Sequence, residues 1–203
     1  MPKMYIISGC NGSGKTTASY ALLPELLGCA EYVNSDEFAK SLSPFNPAAA
    51  YVSASRYMLM KIKYLLGKKK DFGVETTLAT RSLIKTIERA HNLGYEVTIL
   101  YFWLNSPELA IKRIADRVAA GGHDIPSETV RRRYLMGLKY FFNIYSPISD
   151  RWILADNSTI PFTVVAEGNR NLDITIRDTE KYERIWEIAH PAEEEKEDKF
   201  EDD

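Results

Sequence analysis

Eight residues near the start of the chain, Gly9-Cys10-Asn11-Gly12-Ser13-Gly14-Lys15-Thr16, constrain the fold more than any other stretch. They fit the pattern G-x-x-x-x-G-K-[ST] at every fixed position. A short apolar run, Met4 to Ser8, leads into them, and a helical stretch from Ala18 to Leu27 follows until Gly28 stops it. In a strand, loop and helix of this kind, successive backbone N–H groups wrap a phosphate while the positive end of the helix adds to the field. Glycines are needed because side chains would block that close backbone approach. Lys15 is expected to reach the β- and γ-phosphates as a point charge, and the Thr16 hydroxyl to coordinate Mg²⁺. Gly9, Asn11, Gly12, Ser13, Gly14 and the neighbouring Thr17 complete the expected nucleotide contacts, with ATP as the nucleotide.

The remaining pattern alternates strands with helices. Glu31 to Asn34 reads as a second strand, Ser43 to Pro47 as a loop and Ala48 to Leu66 as a long helix. Phe72 to Thr76 is a third strand, and Ser82 to Asn92 is its helix, closed by Gly94. Tyr95 to Leu104 is dense in β-branched and aromatic residues without alternation, as in a central strand covered on both faces. Ser106 and Pro107 supply an N-cap and first-turn proline for a helix that Gly121 and Gly122 end. Ser127 is expected to cap a helix over Glu128 to Phe142, and Arg151 to Ala155 to form a further strand. Thr163 to Glu167 and Leu172 to Ile176 read as a hairpin around Gly168 to Asn171, and Glu180 to Ala189 as a final helix. The fold class expected is α/β: a P-loop NTPase three-layer sandwich, its mostly parallel sheet flanked by helices on both faces, with a C-terminal β-hairpin.

At 203 residues, one domain over 1–191 followed by an acidic tail accounts for the chain. Composition, 45% hydrophobic and 27% charged, is that of an ordinary globular protein. The longest apolar run, Val97 to Leu104, falls far short of the roughly 20 residues a membrane helix needs, so no membrane is expected. Cys10 and Cys29 read as free thiols of a reducing compartment, which places the protein in the cytoplasm. Residues 192–203 hold eight acidic residues and two lysines, so this solvated, disordered-type end carries −6 of the overall −2 and the body is +4. A body this mildly basic suits a polyanionic small molecule and excludes nucleic acid, which draws a clustered basic face.

Missing motifs narrow the class. The chain has no LSGGQ-like signature, no N-K-x-D base-reading motif and no D-x-x-G switch. Asp71-Phe72-Gly73 spells the metal motif of protein kinases, but no H-R-D loop accompanies it, and it reads as a turn. Small-molecule and nucleotide kinases remain. Such an enzyme needs a carboxylate for the attacking hydroxyl and cations for the transferring phosphoryl group. Ligands of open α/β sheets sit at strand carboxyl ends, which singles out Asp36 after the second strand and Glu75 at the end of the third. Each has a plainer alternative, Asp36 as a helix cap and Glu75 as an edge charge. Arg113, Arg117, Arg131, Arg132 and Arg133 flank Gly121-Gly122-His123, a pattern expected of a lid over 117–134, with His123 bracing the hinge.

These residues resemble the zeta-toxin-like family of P-loop kinases, whose members include proteins labelled "predicted ABC-type ATPase". The resemblance spans Met4 to Tyr134. It rests on Gly9 to Thr17, Asn34-Ser35-Asp36-Glu37 with Ser43-Pro44-Phe45, Glu75-Thr76-Thr77-Leu78, and Arg117 to Pro126 running into Arg131-Arg132-Arg133-Tyr134. It implies that Asp36 is the base, that Glu75 and Thr76 bind substrate or metal, and that lid arginines, Arg113 and Arg117 with Arg132 beside the substrate, hold phosphates. It also implies transfer of the γ-phosphoryl of ATP to UDP-N-acetylglucosamine and an antitoxin partner. The segment from Ile153 onward has no matching positions. Two other readings stay open on the residues alone: a gluconate or nucleoside monophosphate kinase-like enzyme, and a nucleotide-dependent switch without an acceptor.

Overall fold

The computed structural model describes residues 1–122, 124–171 and 173–191. His123, Leu172 and the acidic tail 192–203 therefore lie outside the described residues, and the expectations placed on them are not addressed by it.

Seven strands form one sheet in the order β2-β3-β1-β4-β5-β6-β7. They are β1 (Lys3–Ser8), β2 (Tyr32–Val33), β3 (Phe72–Thr76), β4 (Glu96–Trp103), β5 (Arg151–Asp156), β6 (Thr163–Asn169) and β7 (Ile174–Ile176). The first five run parallel, and β6 and β7 add antiparallel at one edge. As its composition predicts, β4 lies fourth of seven. The chain steps from β1 outward to β2, returns to β3 and then crosses to β4, so the order reverses beside β1. Crevices open at such switch points beyond the strand carboxyl ends.

Alternation along β1 divides the core. Met4 and Ile6 face a large cluster with Leu65 and Leu66 of α3 (Pro47–Gly67), Ile87 of α4 (Ile84–Asn92), Ile114 of α5 (Pro107–Ala119), Leu138 of α6 (Ser127–Tyr140) and Ile185 of α8 (Thr179–Ala189). Tyr5 and Ile7 face a smaller cluster with Leu22, Leu23 and Phe102, covered by α1 (Lys15–Ala21) and its continuation. The sandwich is thus three-layered but unequal. Beyond α6, a wide turn at Phe141–Tyr145 leads to the three-residue α7 (Ser146–Ile148) and then β5. Between β2 and α3 lies α2 (Ser35–Leu42), which packs on α3 through its own small core of Ala39, Ala50 and Ala54.

Several local details differ from expectation. Helix α1 begins at Lys15, and at Leu22–Leu26 it widens into a π-type turn in which Leu27 N–H bonds Leu22 C=O at 3.0 Å. Pro24 has no N–H to give an ordinary helical bond, and a wider turn absorbs the loss. Ser127 is not a cap: it is the first residue of α6, Pro126 occupies the cap position, and no side chain caps the end. Phe72 and Gly73 are in β3 rather than a turn, while Asp71 Oδ1 accepts from Lys3 N–H at 2.8 Å. The glycine pair does close α5, with Gly121 left-handed at φ 86°. Gly122 N–H bonds Arg117 C=O and Gly121 N–H bonds Val118 C=O, both at 2.9 Å, the Schellman pattern.

Mid-helix Gly137 is set by tertiary packing. A Cβ there would stand 2.8 Å from both the Thr77 carbonyl and the Tyr101 hydroxyl, so α6 lies against the segment after β3. Intrinsic propensity favours Ala over Gly in a helix by about 1 kcal/mol, whereas overpacking costs about 1–3 kcal/mol. Gly137→Ala is therefore expected to lower stability in denaturant unfolding. A stabilised variant would show that α6 has room to shift.

Candidate active site

The phosphate loop takes its shape from three glycines with left-handed backbone: Gly9 (φ 136°), Gly12 (φ 78°) and Gly14 (φ 86°). Each also touches a neighbour. A Cβ on Gly9 would lie 2.3 Å from Phe102 O, on Gly12 2.5 Å from Ala110 O, and on Gly14 2.4 Å from Asn157 Nδ2. Conformation and space both exclude side chains. Lys15 is only 6% exposed and its Nζ donates to the Cys10 carbonyl at 2.7 Å, folding the ammonium under the loop. Ser13 is fully buried, and its hydroxyl has no hydrogen-bond partner among the described residues, so the loop holds a donor that no protein acceptor satisfies. Burial pushes the Cys10 thiol up to about 11, so it stays protonated, as a free, inert cysteine does.

Strand ends deliver the carboxylates. Glu75, at the end of β3, accepts the Thr16 hydroxyl at 3.1 and 2.9 Å through its two oxygens. Its Oε2 also accepts from the Tyr32 hydroxyl and, at 2.9 Å, from Asn34 Nδ2. Burial first, and the Glu75 charge second, push the Tyr32 phenol far above its usual range, so it stays a donor. The cap of α2 is Asn34, whose Oδ1 accepts from the N–H groups of Asp36 and Glu37 at 2.8 and 3.3 Å. Capping is thus done by Asn34, and the Asp36 side chain faces the cavity instead.

One cavity of about 740 Å³ joins these parts. Loop residues Asn11, Gly12, Gly14, Lys15, Thr16 and Thr17 line it, together with Asp36, Glu75, Arg113 and Arg117. Arg113 Nη2 donates to the Ser158 carbonyl at 3.0 Å. Two proposed contacts stand elsewhere: Thr76 turns its hydroxyl back to Leu78 N–H at 3.1 Å, and Arg132 is exposed on α6, and neither lines the cavity. Its neighbour Arg133 reaches the loop, donating to Asn11 Oδ1 at 2.8 Å. The signal for Arg133 was present in helical period, since it lies three residues after buried Val130 and four before buried Gly137. Sequence reasoning also gave no role to Tyr32, to Asn157, or to Asn34, which entered only as part of the motif before Asp36. The strand-end rule that found Asp36 and Glu75 applies equally to Asn157, just beyond β5.

No cluster of three or more His, Cys, Asp or Glu able to hold a metal lies among the described residues. Magnesium needs none, because it keeps several waters and takes most other oxygens from phosphates. Thr16 Oγ1 beside the Glu75 carboxylate is a donor set of that sparse kind.

The turn after β5 ties the cavity to the C-terminal helix. Asn157 Nδ2 donates to the Ser13 carbonyl at 2.7 Å, and its N–H to Trp103 O at 2.9 Å. Asp156, 6% exposed, accepts from Ser158 N–H at 2.8 Å and pairs with Lys181 Nζ at 3.1 Å. Burial raises its pKa, but the bonds from Ser158 and the Lys181 charge outweigh that and hold the carboxyl below its ordinary range. A lowered folded pKa adds stability above the unfolded value of about 3.9 and loses it as pH falls through the folded value. Asp156→Asn should therefore cost about 1–3 kcal/mol at neutral pH, and its deficit against the parent should shrink below about pH 4. Urea midpoints from pH 7 to 3 test this. A deficit independent of pH would assign the cost to packing.

A mostly parallel β sheet with a glycine cradle at its switch point and carboxylates at the neighbouring strand ends defines the class: a P-loop nucleotide-binding domain of kinase-like architecture. The chain belongs to the zeta toxin family, whose sequence model matches residues 1–139. An uncharacterized protein of Haemophilus influenzae is 30% identical over 132 residues, 65% of this chain and 92% of that one. Among solved structures, the AvrRxo1-ORF1:-ORF2 complex with ATP superposes with a TM-score of 0.71 at 19% identity, over 91% of this chain and 63% of that chain. This chain thus spans less than two thirds of that protein's length. The PezAT toxin-antitoxin system of Streptococcus pneumoniae superposes with a TM-score of 0.65 at 16% identity, over 93% of this chain and 78% of that chain. At these identities the likeness establishes the fold. No helix among the described residues is long and apolar enough to cross a membrane.

Proposed function

We propose that the protein is an ATP-dependent small-molecule kinase that moves the γ-phosphoryl group onto a substrate hydroxyl. The observation that carries this reading is the single cavity shared by the phosphate loop and Asp36. Asp36 accepts the proton as the acceptor oxygen bonds to the γ-phosphorus. The bond from that phosphorus to the bridging oxygen breaks, and ADP leaves with that electron pair. Lys15 and the loop amides hold the β- and γ-phosphates, and Thr16 would hold Mg²⁺ with Glu75 as its neighbour. That ion, when bound, neutralises charge on the phosphate oxygens.

Arg117, at the last turn of α5, and Arg113 line the same cavity and supply cations, and the segment 117–134 is proposed to close as a lid. Arg133, which holds Asn11, replaces Arg132 as the inward arginine of α6. Family membership makes a nucleotide sugar, UDP-N-acetylglucosamine, the first acceptor to try, and the toxin-antitoxin neighbours make an antitoxin the first partner to seek. Two buried free thiols fit a cytoplasmic location.

Lys15→Ala is expected to abolish nucleotide binding or turnover in a protein that circular dichroism shows to be folded, since it removes the loop's ammonium together with its bond to the Cys10 carbonyl. Near-normal ATP affinity in a folded variant would overturn this. Asp36→Asn should still bind ATP but transfer phosphate about 10²–10⁴-fold more slowly, because the proton acceptor is gone. The assay compares ATP consumption with and without UDP-N-acetylglucosamine and a metabolite extract, with product identified by mass spectrometry. Steady hydrolysis that no acceptor stimulates would favour a nucleotide switch instead.

A further inference from the structure

Four side chains form a linked group that the proposed reaction does not by itself explain. Glu75 receives hydrogen bonds from three neutral donors, Thr16, Tyr32 and Asn34, and no ion pair joins it to a cation among the described residues. A half-buried carboxylate in such company is held by direction, not by charge. Its two oxygens both meet the Thr16 hydroxyl, which places the Thr16 proton on the Glu75 side. The Thr16 lone pairs are thereby turned away from Glu75. Tyr32 and Asn34 share Oε2, so together they prevent that carboxylate from swinging off Thr16.

Asn34 uses its two ends differently. Its amide nitrogen holds Glu75, while its amide oxygen caps α2 at the N–H groups of Asp36 and Glu37. A single planar side chain therefore spans from the carboxylate next to the phosphate loop to the first turn of the helix that carries Asp36. Among the described residues the strand ladder does not do this, because β2 is only two residues long and pairs with β3 at Tyr32 and Val33. The edge strand ends before Asn34, and the side chain continues the link that the ladder has stopped making.

We infer that Asn34, with Tyr32, is a positioning residue that keeps Glu75 turned to Thr16 and sets Asp36 in register with the phosphate loop. The inference rests on the nucleotide-binding reading above and adds to it. It assigns to Tyr32 and Asn34 the presentation of the Thr16 oxygen to a cation on the nucleotide. Neither residue lines the cavity. Tyr32 donates to Glu75 from the second strand, and the Asn34 nitrogen is already committed.

Substitution separates the two ends of Asn34. Serine caps helices about as well as asparagine, but it has no donor long enough to reach Glu75, whereas alanine loses both functions. Tyr32→Phe removes the phenol while keeping the ring. The experiment measures, by calorimetry, ATP affinity without and with Mg²⁺ for the parent, Asn34→Ser, Asn34→Ala and Tyr32→Phe, alongside melting temperature. Binding needs no acceptor, so the result does not depend on which hydroxyl is phosphorylated. Asn34→Ser and Tyr32→Phe are expected to keep Mg²⁺-free ATP affinity within about twofold of the parent. Each should lose roughly tenfold of the affinity that Mg²⁺ adds, the scale of one hydrogen bond to a charged group. Asn34→Ser should melt near the parent, and Asn34→Ala clearly below it. If the Mg²⁺ gain is intact in Asn34→Ser and Tyr32→Phe, the inference is overturned, and Asn34 is a helix cap alone. A parent that binds ATP with no gain from Mg²⁺ overturns it too, while leaving nucleotide binding in place. A parent that binds no ATP overturns the reading and the inference together.

Discussion

The phosphate loop is a backbone shape that only its neighbours can hold. Left-handed geometry at Gly9, Gly12 and Gly14 is permitted by the missing Cβ, but what gives each glycine its place is a separate contact. Gly9 lies on the end of β4 at Phe102, Gly12 on α5 at Ala110, and Gly14 on the turn after β5 at Asn157. Three elements far from the loop in sequence therefore meet on its eight consecutive residues. The sheet order makes this feasible, because β1 lies between β3 and β4 and the loop leaves it where the chain reverses direction across the sheet.

The same topology decides where charge goes. Parallel strands all end on one side, so Glu75 from β3, Asp36 just past β2 and the Asp156–Ser158 turn from β5 converge around the loop without any local signal joining them. What differs is how each carboxylate is stabilised. Asp156 has Lys181 and Ser158 and is nearly buried, so its role is structural. Glu75 has neutral donors only, and Asp36 faces the cavity from the first turn of a helix whose cap is another residue. Both line the cavity with the glycine loop, whereas Asp156 is tied up in its ion pair, and this separates the two cavity acids from the structural one.

The matched family region ends at residue 139, yet the cradle is completed by later chain. Asn157 holds Ser13, Arg113 holds Ser158, and Lys181 of α8 holds the Asp156 beneath them. The last strand of the parallel sheet and the C-terminal helix are therefore part of the nucleotide site's support rather than an appendage to it.

Much of this was legible in the residues. The G-x-x-x-x-G-K-T loop, the unalternating apolar run of β4, the Ser106-Pro107 start of α5 and the strand-end positions of Asp36 and Glu75 are local signals, set by backbone sterics, capping and periodicity. Sequence by itself therefore determined the fold class and the places of the glycine loop, Asp36 and Glu75 at the strand ends. It did not separate Arg132 from Arg133, identify Asn34 as the cap in place of Asp36, or reveal that Pro24 is carried through a wider turn. Nor did it bring Tyr32, Asn34 and Asn157 into the site. Those are matters of which side chain points where once strands have paired and α6 has settled against Thr77 and Tyr101 through Gly137. Hydrogen bonds between residues 41, 59, 122 and 144 positions apart leave no trace in a local pattern. Their partners are chosen by distance and angle, which exist only after the chain has folded.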